Sequence, residues 1–179
     1  MEEGMTQVVY DVIVLGGGAG GVPAAVRAAQ LGGRVAVIEH NSLGGLCMNQ
    51  GCVPFGHMMA ASKILGSLSL GREMGLDFPS ISKNYAALTK RQNELIAFMR
   101  QGVAGVLKKN NVDLVEGRGR VAGKGRIEVN GVVLQCRNII LASGAGWLKL
   151  DFPGADLKGV INSDDLLNMT KLPGSILLY

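Results

Sequence analysis

Tyr10-Asp11-Val12-Ile13-Val14-Leu15-Gly16-Gly17-Gly18-Ala19-Gly20-Gly21 decides the fold. Tyr10 to Leu15 is a short apolar run rich in β-branched residues, which reads as a buried strand, and it runs straight into a glycine-rich turn. Val22 to Leu31 follows with Ala-rich helical character, and Arg34 to Ile38 is a second buried strand that ends in Glu39. The unit is strand, helix, strand. In such a unit Gly16 allows the tight turn, Gly18 lets backbone approach a pyrophosphate, and Gly21 lets the helix pack on the strand. The start of the helix, from Ala19 and Gly20 onward, offers N–H groups without acceptors, and its dipole favours an anion. Glu39 lies 18 residues after Gly21, where an acid accepts hydrogen bonds from a ribose. The unit therefore predicts dinucleotide binding. Pro23 is a discord, because it removes an N–H from the first helical turn.

Composition agrees with a nucleotide-binding α/β protein. The chain has 179 residues, enough for one domain with a core, with 27 glycines and 4% aromatics, which suits tight turns better than a bulky aromatic centre. The net charge of +4 is spread out. Its densest patch is Arg118, Arg120, Lys124 and Arg126, with no aromatic residue between them to stack on bases, so no nucleic-acid partner is expected. No apolar run approaches the roughly 18 residues of a membrane span, and the N-terminus, with Glu2 and Glu3, lacks the basic start of a signal peptide. A cytoplasmic location is the expectation.

Beyond Glu39 the chain reads Gly44-Gly45-Leu46-Cys47-Met48-Asn49-Gln50-Gly51-Cys52, which holds two of its three cysteines, five apart. In a regular helix residues five apart are separated by roughly 7.5 Å along the axis, whereas a disulfide needs Cα atoms about 4.4 to 6.8 Å apart. A bridge therefore requires a distorted turn, which Asn49 and Gly51 tolerate best. Structural zinc takes two closely spaced ligand pairs, and His40 and His57, the only histidines, supply no second pair, so no metal site is expected. On the spacing alone, a redox pair and two unpaired cysteines packed as small apolar groups both fit.

The remaining elements follow from periodicity. Pro54 to about Leu70 is a helix with Met58, Ala61, Leu65 and Leu68 on a core face, and Ser82 to Lys109 a longer one, ended by Asn110-Asn111. Val112 to Glu116 reads as a third parallel strand. Arg126 to Val129 and Val132 to Gln135 form a hairpin about Asn130-Gly131. Asn138 to Gly146 is a buried strand entering a small-residue loop, Cys136 before it is an inert buried thiol, and Leu172 to Tyr179 enters another buried strand.

Gly44, Gly45, Cys47, Asn49, Gly51, Cys52 and Pro54 occupy every fixed position of G-G-x-C-x-N-x-G-C-x-P, and in this the chain resembles the flavin-dependent pyridine nucleotide-disulfide oxidoreductases. The resemblance implies a Rossmann-like FAD-binding domain, a parallel sheet with helices and a small antiparallel β-meander. It covers the first part of such a protein: residues 1–171 are the N-terminal part of the FAD-binding domain and 172–179 the start of the NAD(P)H-binding domain. It implies FAD as cofactor, with NAD bound through the absent domain. Cys47 is then the thiol that exchanges with a disulfide substrate and Cys52 the thiolate facing the flavin. FAD contacts fall on Gly16, Gly18, Ala19, Gly20, Gly21, Glu39, Gly44, Gly45, Leu46 and Cys47, on Gly119, whose backbone lies against adenine, and on Ser143 and Gly144, where Ala142-Ser143-Gly144 stands for A-T-G. The implied partners are a lipoyl-bearing protein or a small disulfide, with a homodimer for the full-length protein, since the segment looks most like the dihydrolipoamide dehydrogenases within the family. Mercuric and glutathione reductases share the cysteine signature. Two departures stand out. Phe55 and Gly56 replace the family's Ser or Thr followed by Lys, and Leu46 replaces a common Thr. A flavin-binding module without thiol chemistry is the competing expectation.

Overall fold

A computed structural model describes residues 9–148 and 150–178. It contains, in order, β1 (Val9–Leu15), α1 (Gly21–Gln30), β2 (Val35–Glu39), α2 (Gly45–Gln50), α3 (Cys52–Glu73), α4 (Tyr85–Lys109), β3 (Val112–Glu116), β4 (Arg120–Gly123), β5 (Arg126–Val129), β6 (Val132–Leu141) and α5 (Ser163–Asn168). The contacts divide the chain into two compact units. One takes its described residues from 1–46 and 98–147, the other from 47–97 and 148–179, and α4 runs through both ranges.

The first unit is a six-stranded sheet in the order β3-β2-β1-β6-β5-β4. β3, β2, β1 and β6 are parallel neighbours, while β5 and β4 add on as an antiparallel meander. The order runs outward from β1 to β2 and β3 and then resumes on the other side of β1 with β6, so the switch point lies at the carboxyl end of β1. In such sheets ligands bind there. Ile13, Val14, Val35, Ala36 and Val37 are fully buried, and burial contributes about 1.5 to 3 kcal/mol for each of the larger side chains. Val14, Val35 and Val37 pack with Ala25 of α1 and Leu107 of α4. Ile13, Leu15 and Ile38 pack with Ile127 and Val129 of the meander.

Two expectations about strands are corrected here. Val132 to Gln135 and Asn138 onward are one continuous strand, β6, whose first part pairs with β5 and whose remainder pairs with β1. The polar Arg137 and Asn138 do not break it. Arg137 pairs with Asp11 at 3.0 Å and the Asn138 amide donates to the Asp11 carbonyl at 3.2 Å, so both polar groups are held by β1. The strand ends at Leu141 and the small-residue loop follows as expected, but the strand is less buried than expected, since only Cys136 within it is buried. Residues 172–178 form no strand, and Leu177 and Leu178 are exposed. An apolar run becomes a buried strand only beside a partner that takes its backbone groups, and no described strand pairs with it. Tyr179 lies outside the described residues.

The second unit is helical. α4 is capped by Asn84, whose side chain accepts from the Ala87 N–H at 3.0 Å, and its C-terminus is followed by Asn111 at φ 54°. Thr89, Gln92 and Ile96 line its buried side, and the Gln92 amide donates to the Leu167 carbonyl of α5 at 3.3 Å. α3 differs from expectation: Met58, Ala61 and Leu68 are half-buried and Leu65 is exposed, with only Pro54 and Gly71 buried over 22 residues. α5 was missed. Its signal was Asn162-Ser163-Asp164-Asp165, a capping box in which the Asn162 side chain accepts from the Asp165 N–H and Asp165 accepts from the Asn162 N–H.

Candidate functional site

Within the first unit the predicted glycines meet around the end of β1. Gly16 takes φ 106°, and a Cβ there would strike the Ala142 carbonyl at the exit of β6. A Cβ on Gly21 would strike the Gly16 carbonyl. Both positions therefore admit glycine only, for reasons of backbone packing alone. The first intrahelical bond runs from the Val22 N–H to the Gly18 carbonyl at 3.0 Å. The N–H groups of Ala19, Gly20 and Gly21 thus stand at a helix start without intrahelical acceptors.

Gly44 and Gly45 return to this turn. The Gly44 N–H donates to the Gly17 carbonyl at 2.8 Å, and a Cβ on Gly45 would lie 2.8 Å from the Gly18 Cα. Leu43 is buried beneath them beside Gly17. Glu39 ends β2 with one carboxylate oxygen accepting from the Gly17 N–H at 2.7 Å and the other from the Asn41 N–H at 2.8 Å. His40 Nδ1 lies 3.6 Å from the second oxygen. The Asn41 contact was not expected from sequence, and because a backbone N–H makes it the residue type carried no signal.

Ser143 and Gly144 follow β6, and the Ala142 N–H donates to the Leu15 carbonyl at 2.8 Å, so this loop leaves the sheet beside Gly16. Gly119 has a packing reason for being glycine, since a Cβ would lie 3.2 Å from Ile38 Cγ2 and closer still to Leu15. Leu46 is exposed.

These residues fit the pyrophosphate and ribose of a dinucleotide. The turn presents backbone without side chains, a helix start adjoins it, and a carboxylate that accepts one N–H per oxygen keeps lone pairs for hydroxyls.

Cys47 and Cys52 lie in the second unit, on either side of a break between α2 and α3. Gly51, at φ −136° and ψ −114°, interrupts the helical path, and the two Cα atoms stand 4.8 Å apart with the sulfurs joined as a disulfide. The distortion sits at Gly51 alone, since Asn49 keeps its helical state. Both cysteines are exposed, which removes the alternative of two buried unpaired thiols. In the reduced pair a hydrogen bond with Cys47 pushes the Cys52 thiol up, with desolvation and the Cys47 charge adding to the same direction. Phe55 is 60% exposed, and a Cβ on Gly56, one turn after Cys52, would meet nothing within 4 Å, so among the described residues no side chain at that position offers Cys52 a cation. His57 Nε2 is bonded to the Leu88 carbonyl at 3.2 Å and straps α3 to α4. Cys136 is buried, and desolvation pushes its thiol up.

The chain belongs to the pyridine nucleotide-disulphide oxidoreductase family, which matches residues 10–178. It is similar to a dihydrolipoyl dehydrogenase of Acholeplasma laidlawii, 33% identical over 174 residues covering 94% of this chain and 52% of that protein. A Bacillus subtilis dihydrolipoyl dehydrogenase is 32% identical, with 94% of this chain and 38% of that protein covered. Among solved structures, the HOCl-induced flavoprotein disulfide reductase RclA from Escherichia coli superposes with a TM-score of 0.76 at 26% identity, covering 92% of this chain and 35% of that one. The chain thus spans between about a third and a half of the proteins it matches. FAD and NAD, the cofactors the resemblance implied, are those of the family. Among the described residues no helix is long and apolar enough to cross a membrane.

Proposed function

We propose that this chain is the FAD-binding, redox-disulfide part of a dihydrolipoamide dehydrogenase that passes electrons between dihydrolipoamide, the Cys47–Cys52 pair, FAD and NAD. The observation that carries the reading is the exposed pair joined across the break at Gly51. The same proposal assigns residues 1–171 to the FAD-binding domain and 172–179 to the start of the NAD(P)H-binding domain, and it takes a lipoyl-bearing protein or small disulfide as partner, a homodimer as the assembly of the longer protein, and the cytoplasm as its location.

Gly16, Gly18, Ala19, Gly20 and Gly21 hold the pyrophosphate, Glu39 holds the adenosine ribose, and Gly44, Gly45, Leu46, Cys47, Gly119, Ser143 and Gly144 complete the cofactor-binding set. When bound, FAD supplies two-electron transfer between the dithiol and the nicotinamide. The chain's own step is exchange. A dihydrolipoamide thiolate attacks the Cys47 sulfur, the Cys47–Cys52 bond breaks, and Cys52 leaves as thiolate. The second substrate thiol, after losing its proton, attacks the mixed disulfide and releases Cys47, so the substrate is oxidised by two electrons and the pair reduced to two thiols. That proton needs a base. His57 is committed to the Leu88 carbonyl and His40 sits against Glu39, so neither is assigned the part. The alternative, a flavin-binding module without thiol chemistry, rests on Phe55-Gly56 and the raised Cys52 thiol.

The test combines two assays. FAD titration should show binding that Glu39→Ala weakens by about 1 to 3 kcal/mol, the cost of removing a hydrogen-bonding partner. NADH-dependent lipoamide reduction by the 179-residue chain should stay at background beside the intact Bacillus subtilis enzyme. Turnover within about tenfold of that control, roughly 1.4 kcal/mol in barrier, would require a base and a nicotinamide site inside these residues.

A further inference from the structure

We infer that Asn130, the turn residue between β5 and β6, positions the adenosine side of the proposed dinucleotide site; the inference rests on that reading of the Gly16–Gly21 turn and Glu39. Asn130 and Gly131 take φ 51° and 77°, the paired left-handed conformations of a tight hairpin turn. Asn-Gly alone accounts for the turn. It does not account for the asparagine side chain, whose Nδ2 crosses to β3 and donates to the Glu116 carbonyl at 2.8 Å.

That carbonyl is the last of β3, and the chain leaves the sheet just after it. Gly117 has φ 148°, a backbone that side chains rarely adopt, and a Cβ there would lie 2.5 Å from the Asn130 amide oxygen and 2.8 Å from its nitrogen. The amide thus takes up the space that a side chain on Gly117 would need. On its other side the Gly117 N–H donates to the Glu39 carbonyl at 2.8 Å. The Glu39 side chain in turn receives the Gly17 N–H at 2.7 Å. A relay of three hydrogen bonds therefore runs from the hairpin turn through the exit of β3 to the acid and the glycine turn. Asn130 also lines, with Arg118, Gly119, Arg120, Glu128 and Val129, a cavity of about 300 Å3. One amide sets both the path of Gly117 to Gly119 and the wall of that cavity. Asn130 is a positioning residue: it acts through Gly117 and Glu39.

The same turn supplies the control. Gly131→Ala strains the hairpin at φ 77° and meets no neighbour, but leaves the Asn130 amide in place. Asn130→Gly keeps the turn and deletes the amide. Asn130→Asp keeps the shape and tolerance of positive φ but has no N–H to donate. Affinity of the purified chain for FAD and for ADP is measured by titration, with the melting temperature of each variant alongside. The expected result is about tenfold weaker binding of both ligands in Asn130→Gly and Asn130→Asp, against less than about twofold for Gly131→Ala even where its melting temperature falls further. Equal affinities in wild type and both Asn130 variants, or losses that simply track melting temperature across all three, would overturn the inference while leaving the dinucleotide reading standing. Failure of the wild-type chain to bind either ligand would overturn both.

Discussion

Glycine does opposite things in the two halves of this molecule. Around the end of β1, a Cβ on Gly16, Gly21 or Gly45 would run into backbone, so each is fixed by the fold itself. Along α3, Gly56 and Gly66 would meet nothing within 4 Å, and most of the helix is exposed. Glycine inside a helix costs about 1 kcal/mol against alanine. Among the described residues no packing recovers that cost at Gly56 and Gly66, whereas at Gly71 a Cβ would lie 2.7 Å from the Phe78 ring. The first region is a turn whose glycines its own backbone explains. The second presents an exposed cysteine pair joined across the break at Gly51.

The largest effect belongs to the first region. Gly21→Ala drives a methyl group into the Gly16 carbonyl, and overpacking of this kind costs about 1 to 3 kcal/mol. Its melting temperature should fall and its FAD affinity drop by more than about tenfold, because the turn must move to make room. An alanine variant that folds and binds as the parent does would erase the contrast between the two sets of glycines.

A smaller effect is expected in the second region. Because a hydrogen bond with Cys47 raises the Cys52 thiol, alkylation of the reduced pair should accelerate as pH rises, with its inflection above the ordinary thiol range. Gly56→Lys places a cation one turn away in open space. It should shift that inflection downward and speed alkylation at pH 7 by about twofold, the size of an exposed helical charge pair. An unchanged profile would mean that position 56 does not govern the pair.

How far each region was legible follows from the same contrast. The strand, turn, helix and strand from Tyr10 to Glu39 were read nearly to the residue, because a buried parallel strand and a helix start impose local patterns that a single sequence carries. Spacing left the two cysteines open between a redox pair and two packed thiols, the resemblance implied the pair, and its geometry depends on one unusual backbone conformation at Gly51 that spacing does not reveal. β6 was read as two pieces, one ending at Gln135 and one beginning at Asn138, and what joins them is pairing with β1, a partner more than a hundred residues away in sequence, through Gln135, Cys136 and Asn138. The apolar face of α3 looked like core by periodicity. Periodicity reports that a face is apolar and not what covers it.

The most direct test of the account is a thiol count. Oxidised chain is treated with dihydrolipoamide under native conditions, alkylated and mapped by mass. The account predicts that label appears at Cys47 and Cys52 together, on the same chain and only after dihydrolipoamide, while Cys136, buried beneath the meander, is labelled only on unfolding. Label at Cys47 and Cys52 before reduction, a pair that dihydrolipoamide leaves unreduced, or Cys136 found in the bridge would contradict it.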